Sequence, residues 1–407
     1  MDFTAFEQAS IAHQHNGLAV TGSAYPAALA EILGAQDGAR ARQVIESWPG
    51  YRATPLRRLS GFAQQLGLAA VFYKDEGSRF GLGSFKALGG AYAVLRLLST
   101  ELQKQTGASV SDTDIASGAT AEAARSITVV TATDGNHGRS VAWGAQQFGC
   151  GCKIYMHAGV SPGRAQAVEA LGAEVVWVEG NYDDSVRQAA ADAAANGWFI
   201  VSDTSYEGYM DLPRQVMAGY TVMTGEVLDQ LPDGPPPSHV FLQGGVGGLA
   251  GAVASHLWQA YGEQRPRIVI VEPDRAACLY QSARQGEPVI VAVEEETIMA
   301  GLSCGEVSLL GWEILRSAAD DFLCIPDELV APVMRALAEG GADEAVVAGE
   351  SAVAGLAGLI AARRSAALSE ALGLDESSRV LLFGTEGATD PEIYREIVGR
   401  APEDIAA

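Results

Sequence analysis

Residues 73–90 read YKDEGSRFGLGSFKALGG, from Tyr73 to Gly90, and the rest of the 407-residue chain is read outward from them. The stretch follows an apolar run, Leu68 to Phe72, patterned as a buried strand, and passes into Ala- and Leu-rich sequence patterned as a helix. Ser84-Phe85-Lys86 stands at that loop-to-helix junction. The positive end of a helix and partial burial both favour the neutral amine of a lysine placed there. A neutral amine is what Schiff-base chemistry requires. A surface lysine that merely opens a helix also fits the stretch, and two later stretches bear on the choice.

The composition bounds the classes to consider. With 48% hydrophobic and 19% charged residues the chain has the balance of a globular protein, long enough for two or three lobes. No apolar run reaches the roughly 20 residues of a membrane span, and MDFTAFEQASIAHQHNG lacks the basic-then-apolar order of a signal peptide. A formal net charge of −23 argues against nucleic acid and acidic membrane surfaces as partners. Five cysteines are too few and odd in number for a disulfide framework. Cys150-Gly151-Cys152 lacks the two-residue spacer of a redox or zinc pair and reads as strand-edge packing, and nothing decides whether Cys278 and Cys304 meet. The expected setting is reduced and cytoplasmic, with no metal.

Apolar β-branched runs alternate with longer Ala/Leu-rich stretches along the chain. Ile127–Thr131, Lys153–Met156, Glu174–Val178, Trp198–Ser202, His239–Leu242, Arg267–Glu272 and Val380–Phe383 read as buried strands. Gly138–Phe148, Arg164–Leu171, Asp184–Asn196, Gly248–Tyr261 and Ser351–Leu372 read as the helices that cover them. This is the pattern of an α/β protein with largely parallel sheets. Residues 106–126, rich in Ser, Thr, Ala, Gly and Asp with no period, read as a loop or mobile insertion, and LPDGPPPS (Leu231–Ser238) as a stiff turn.

Three Gly-bearing turns follow predicted strands. TATDGNHGR (Thr131–Arg139) leads into a helix, so its backbone N–H groups suit a carboxylate or phosphate; Asn136 adds an amide for a phenolic oxygen, and His137 reads either as a base or as structural. QGGVGGLAG (Gln243–Gly251) packs four glycines into five residues before a helix, enough for backbone to wrap an anion. It matches neither the Walker nor the dinucleotide pattern, and tight helix–strand packing is the plain alternative. In LFGTEGATDPEIY (Leu382–Tyr394), Thr385 offers a hydroxyl at the carboxyl edge of a sheet, and Asp390-Pro391 reads as an N-cap followed by proline at the first helical position.

SFK, a GNHG turn, a GGxGG loop and a late threonine turn, in that order, resemble the tryptophan-synthase-like (fold type II) pyridoxal-phosphate enzymes. More narrowly, YKDEGSRFGLGSFKALGG, TATDGNHGRSVAW, SDTSYEGY, TIMAGLSCGE and GTEGATDPEIY resemble the diaminopropionate ammonia-lyase family, in order from Tyr73 to Tyr394. The resemblance implies two open, mostly parallel α/β domains with pyridoxal 5'-phosphate in the cleft between them. A large domain would comprise residues 1–105 and 208–407, and a small mobile domain residues 106–207. The family's usual state is a homodimer, and its substrate is a small amino acid.

Position by position, the resemblance implies that Lys86 holds the cofactor as a Schiff base and Asn136 binds its phenolic oxygen. Gly244, Gly245, Val246, Gly247 and Gly248 would cradle its phosphate, and Thr385 would face its ring nitrogen. Thr133, Asp134, Gly135 and His137 would hold the substrate. Asp134 departs from the small residue usual in related serine and threonine dehydratases, and a carboxylate there suits an ammonium on Cβ. Asp203 is the other acid of the resemblance; from the residues alone it reads as an N-cap or turn acid. The implied reaction is elimination of ammonia from 2,3-diaminopropionate to pyruvate and two ammonia, with Lys86, Asp134 and Asp203 as proton carriers. The alternative within the fold is a serine/threonine dehydratase. A regulatory protein keeping the fold without the chemistry would have no need of the Schiff-base lysine.

Overall fold

The computed structural model describes residues 2–133 and 135–405. In chain order its strands are β1 (Ala12–His15), β2 (Leu56–Arg58), β3 (Ala70–Asp75), β4 (Thr128–Ala132), β5 (Gly151–His157), β6 (Glu174–Val178), β7 (Phe199–Ile200), β8 (His239–Gln243), β9 (Arg267–Pro273), β10 (Asp321–Ile325) and β11 (Arg379–Gly384). Four helices matter below: α1 (Lys86–Thr106), α2 (Asn136–Phe148), α3 (Asp211–Gln230) and α4 (Gly248–Tyr261). Among the described residues no helix is long and apolar enough to cross a membrane.

Packing divides the chain into two compact units. One comprises Met1–Ala35, Ala53–Ser78 and Met223–Ala407; the other comprises Gln36–Arg52 and Arg79–Val222. The first holds a seven-stranded sheet in the order β1-β10-β9-β8-β11-β3-β2. Its inner pairings are parallel, and the edge strands β1 and β2 run antiparallel. β8 and β10 are buried at every residue, as continuous apolar runs covered on both faces demand. Val71, Phe241, Val269 and Leu323 of these strands join Leu356 and Leu359 in one core. The second unit holds an all-parallel sheet in the order β6-β5-β4-β7, with Ile154, Met156 and Val168 in its core.

Most predicted strands are present within two residues of their expected ends, and the predicted cap at Asp390 accepts from the amides of Glu392 and Ile393 ahead of Pro391. Three expectations differ. The expected loop at 106–126 contains two short helices, Asp112–Ala116 and Ala121–Ala124, the first closed by a capping box between Ser111 and Asp114. The expected helix Ser351–Leu372 is broken at Ser365, which is extended (φ −111°, ψ 116°) and caps the following helix through its side chain. The expected strand Trp198–Ser202 keeps only Phe199–Ile200, because the chain turns away from β4 once Val201 has bonded to Val130. β10 was not read from the sequence, where DFLCI is short and opens on acids.

The packing also groups α1 with the second unit, whereas the expected division assigned residues 79–105 and 208–222 to the large domain. Small residues explain this grouping. A Cβ on Gly144 would sit 2.8 Å from Ala91 Cα, and one on Gly90 would overlap the Ser140 hydroxyl. In each contact one helix contributes a glycine, Gly90 on α1 or Gly144 on α2, so the two backbones close up. Gly144→Val is expected to destabilise the second unit by about 1–3 kcal/mol through overpacking. Gly163→Ala, at a position with nothing within 4 Å, is expected to be neutral or slightly stabilising. Denaturant unfolding of the two variants checks the contrast, and equal midpoints would remove the close-approach explanation.

Candidate active site

The second unit carries the lysine. α1 begins at Lys86 itself, after a loop in which Phe80 is the one described non-glycine residue with positive φ, at 51°. So bulky a residue holds that conformation only when its surroundings compel it. Here its ring packs against Trp143 (4.7 Å between centroids), Trp48 (5.9 Å) and Tyr51 (6.2 Å). This aromatic clamp fixes the loop that delivers Lys86. The Lys86 ammonium lies 5.4 Å from the Phe85 ring centre and 5.9 Å from that of Tyr220 on α3.

Lys86 Nζ donates to Asp203 Oδ2 at 2.5 Å, with both side chains about one-fifth exposed. The contact is that of an ion pair and sets the amine against a carboxylate that the helix-start reading did not include. Burial acts to raise the Asp203 carboxyl, but the charge of Lys86, joined by that of His137 whenever its ring is protonated, outweighs it and holds the group below the usual carboxylate range. Asp203 caps no helix: after β7 the chain runs as loop and turn until α3 starts at Asp211. Tyr209 fixes that loop by donating its hydroxyl to the Ile200 carbonyl (2.9 Å) and accepting from the Ser202 amide (3.0 Å).

The Thr133–His137 turn lies in the same unit. The Thr133 hydroxyl accepts from the amides of Gly135 (3.1 Å) and Gly138 (3.3 Å), and the Thr133 amide donates to Tyr155 O. Of the backbone donors expected for a carboxylate, that of Gly135 is therefore engaged within the turn and that of Thr133 by Tyr155 on β5. Asn136 is the first residue of α2. The His137 ring is buried, with Nε2 on the Val201 carbonyl at 2.8 Å and Nδ1 3.8 Å from Asp203 Oδ2. Asp134 lies outside the described residues.

The first unit carries the glycine loop and Thr385. Parallel pairing of β8 with β11 brings Gln243 and Gly384 to the same sheet edge, where open α/β sheets bind ligands. Gln243 ties the two turns together, its Nε2 donating to Phe383 O (2.6 Å) and Ala352 O (2.9 Å). Gly245 (φ 55°) and Gly247 (φ 94°) are left-handed, which turns successive amides inward. Among the described residues the amides of Gly245 and Val246 meet no acceptor, and α4 starts directly after Gly247. Gly244 makes room rather than a turn: a Cβ there would stand 2.3 Å from Glu272 Cγ. Such a cradle at the head of a 14-residue helix fits a phosphate, and a lysine at a helix start fits a Schiff base. These residues therefore suit pyridoxal phosphate, with Thr385 buried at the adjoining strand end.

The structure brings Lys86, Asp203 and His137 together in one unit, and Gly244–Gly248 and Thr385 in the other. Sequence reading missed Phe80, Tyr209, Tyr220, Gln243 and Glu272. Only Gln243, next to the glycines, had a local signal. Glu272 reaches Gly244 through the parallel register of β9 with β8, which no local pattern reports.

The lysine and the glycine cradle define a pyridoxal-phosphate-dependent enzyme, and the chain belongs to that family, which its residues 47–384 match. Its architecture is fold type II. It is 41% identical to diaminopropionate ammonia-lyase of Escherichia coli (strain K12) over 90% of this chain and 92% of that one. The Salmonella typhimurium enzyme is likewise 41% identical, over 86% and 89%. A crystal structure of diaminopropionate ammonia-lyase from Escherichia coli in complex with D-serine superposes with a TM-score of 0.87 at 39% identity, covering 96% of this chain and 97% of that chain.

Glu272 yields a prediction about the protein without cofactor. Its carboxylate accepts from the amides of Leu279 (2.9 Å) and Tyr280 (2.6 Å) at the head of a short helix, yet burial pushes it up to about 8 from 4.5. Between these values the folded chain keeps a proton that the unfolded chain has released. Stability contributed by this group therefore falls as pH rises from about 5 to 8 and stays low above. The Tm of the apo-protein is expected to fall across that window, and Glu272→Gln to flatten the fall. A slope unchanged by the substitution would rule out Glu272 as its source.

Proposed function

We propose that the chain is a carbon–nitrogen lyase that eliminates ammonia from 2,3-diaminopropionate, releasing an unsaturated amino acid that hydrolyses to pyruvate and a second ammonia. The observation that carries the reading is the Lys86–Asp203 pair, an amine and a carboxylate 2.5 Å apart. The 41% identity to diaminopropionate ammonia-lyases across nine-tenths of the chain supports the substrate.

Pyridoxal phosphate, when bound, supplies an electron-poor ring that spreads the negative charge left as Cα loses its proton. Lys86 would hold the cofactor, Asn136 its phenolic oxygen, Gly244, Gly245, Val246, Gly247 and Gly248 its phosphate, and Thr385 its ring nitrogen. A neutral hydroxyl at that nitrogen suits elimination rather than transamination. The residues themselves perform the proton steps. Asp203, held ionised, accepts a proton, and Lys86 accepts or returns one once its amine leaves Asp203. The β-nitrogen departs as ammonia only if it stays protonated while the Cβ–N bond breaks. A carboxylate beside it meets that need, and the family resemblance gives this task to Asp134. The Thr133–His137 turn, with Gly135 at its centre, would receive the substrate carboxylate. A cytoplasmic homodimer belongs to the same reading; free thiols at all five cysteines fit a reduced compartment, and light scattering tests the dimer.

Pyruvate and ammonia release from 2,3-diaminopropionate, serine and threonine, compared side by side, tests the substrate. Preference for a hydroxy amino acid would make the chain a dehydratase instead. Lys86→Ala is expected to lose the borohydride-trappable cofactor and at least about 100-fold in kcat, with the fold retained. Gly247→Val is expected to weaken cofactor affinity more than apo stability, because its φ of 94° would strain a β-branched residue. Asp203→Asn is expected to cost about 100-fold or more in kcat/KM; wild-type turnover in that variant would exclude Asp203 as a proton carrier.

A further inference from the structure

His137 has two differently employed ring nitrogens. A carbonyl only accepts, so the 2.8 Å contact to Val201 O requires the hydrogen on Nε2. The neutral ring therefore carries its lone pair on Nδ1, which faces Asp203 Oδ2 at 3.8 Å and has no hydrogen-bond partner among the described residues. Val201 is itself anchored by its amide on Val130 O in β4, and the loop carrying Asp203 is pinned by Tyr209. Both sides of the gap are thus fixed by backbone. A buried lone pair aimed at a carboxylate is unfavourable while that carboxylate is ionised and favourable once it carries a proton. Nothing else in the described site requires this arrangement.

We propose that His137 is a positioning residue that acts through Asp203, its Nδ1 receiving the proton that Asp203 takes up. The inference rests on the reading of Asp203 as a proton carrier. When Asp203 accepts a proton, the carboxyl O–H turns to Nδ1. Transfer breaks that O–H bond, forms Nδ1–H, and leaves an imidazolium beside a restored carboxylate, so proton and charge are conserved within the pair. Burial holds His137 below the usual histidine range while Asp203 pulls it up and Lys86 pushes it down. Among the described residues the charged groups facing the pair are Lys86 and the two partners themselves. The nearby hydroxyls of Tyr209 and Tyr220 are pushed up by burial and stay neutral at working pH. The pair consequently binds its proton at higher pH than Asp203 would alone.

Two measurements test this. In the apo-protein labelled with 15N-histidine, His137, one of six histidines, is expected in the Nε2–H tautomer. Its protonation midpoint is expected to drop by about one pH unit in Asp203→Asn, the usual scale for losing an adjacent opposite charge. In the holoenzyme, His137→Gln keeps a donor for Val201 O but cannot be protonated. It is expected to move the acid limb of the kcat/KM profile down by about one pH unit, with cofactor absorbance and Tm near wild type. His137→Phe, lacking any acceptor, is expected to move the limb at least as far. An Nδ1–H tautomer, a midpoint indifferent to Asp203→Asn, or an unmoved limb in the glutamine variant each overturns the proposal. Full turnover in Asp203→Asn would instead refute the reading beneath it, a different result from an inactive Asp203→Asn whose His137 midpoint has not moved.

Discussion

An ammonium and a carboxylate, each about one-fifth exposed, hold one another at the start of α1. Neither charge would remain at that depth alone, because losing water costs each several kcal/mol unless a partner replaces it. The pair therefore ties together two segments 117 residues apart in sequence, and any chemistry at the Lys86 amine must first release it from Asp203. The rest of the second unit is arranged to make that ion pair inevitable. Phe80 accepts an unfavourable backbone conformation among three aromatic rings to set the loop before Lys86, and Tyr209 spans its own loop to set Asp203.

Glycine sets the height of Lys86 above its neighbours. A Cβ on Gly89 would fall 2.4 Å from Tyr220 Cε1, and one on Gly219 only 2.1 Å from the Leu88 carbonyl oxygen. The first turns of α1 and the middle of α3 are thus in backbone contact, which is why the Tyr220 ring lies below the ammonium. The wall formed by Phe85 and Tyr220 keeps water from that side of the amine, and in a drier surrounding the pull of Asp203 is stronger.

Much of this was legible where the signal is local. β8 announces itself as an apolar run before glycines, and the lysine at the loop-to-helix junction, the glycine loop and the Asp390 cap are each written within a few residues. The reading failed where geometry depends on distant segments. From the residues alone Asp203 read as an N-cap or turn acid; no helix begins until Asp211, and its partner Lys86 lies on a segment 117 residues away. His137 was ambiguous between base and structural residue because its ring nitrogens are assigned by Val201, a contact made across the β4–β7 pairing. The lysine was read from its helix position and partial burial, and the carboxylate that meets its amine lies on another loop.

The glycines of the first unit serve two physical ends that sequence cannot separate. Gly245 and Gly247 are left-handed, so a side chain there strains backbone whether or not space exists. Gly244 and Gly384 have ordinary φ, and their bareness answers to neighbours instead, Glu272 for the first and the Tyr73 ring, 2.1 Å from a Cβ on Gly384, for the second. Those neighbours come from β9 and β3, the strands on the far sides of β8 and β11. The glycine turn after β8 and the turn bearing Thr385 are consequently shaped from both flanks of the sheet. A carboxyl fixed so close to the backbone of Gly244 is driven toward its protonated form by burial. The same desolvation that raises the Glu272 carboxyl keeps negative charge away from the glycine turn beside it.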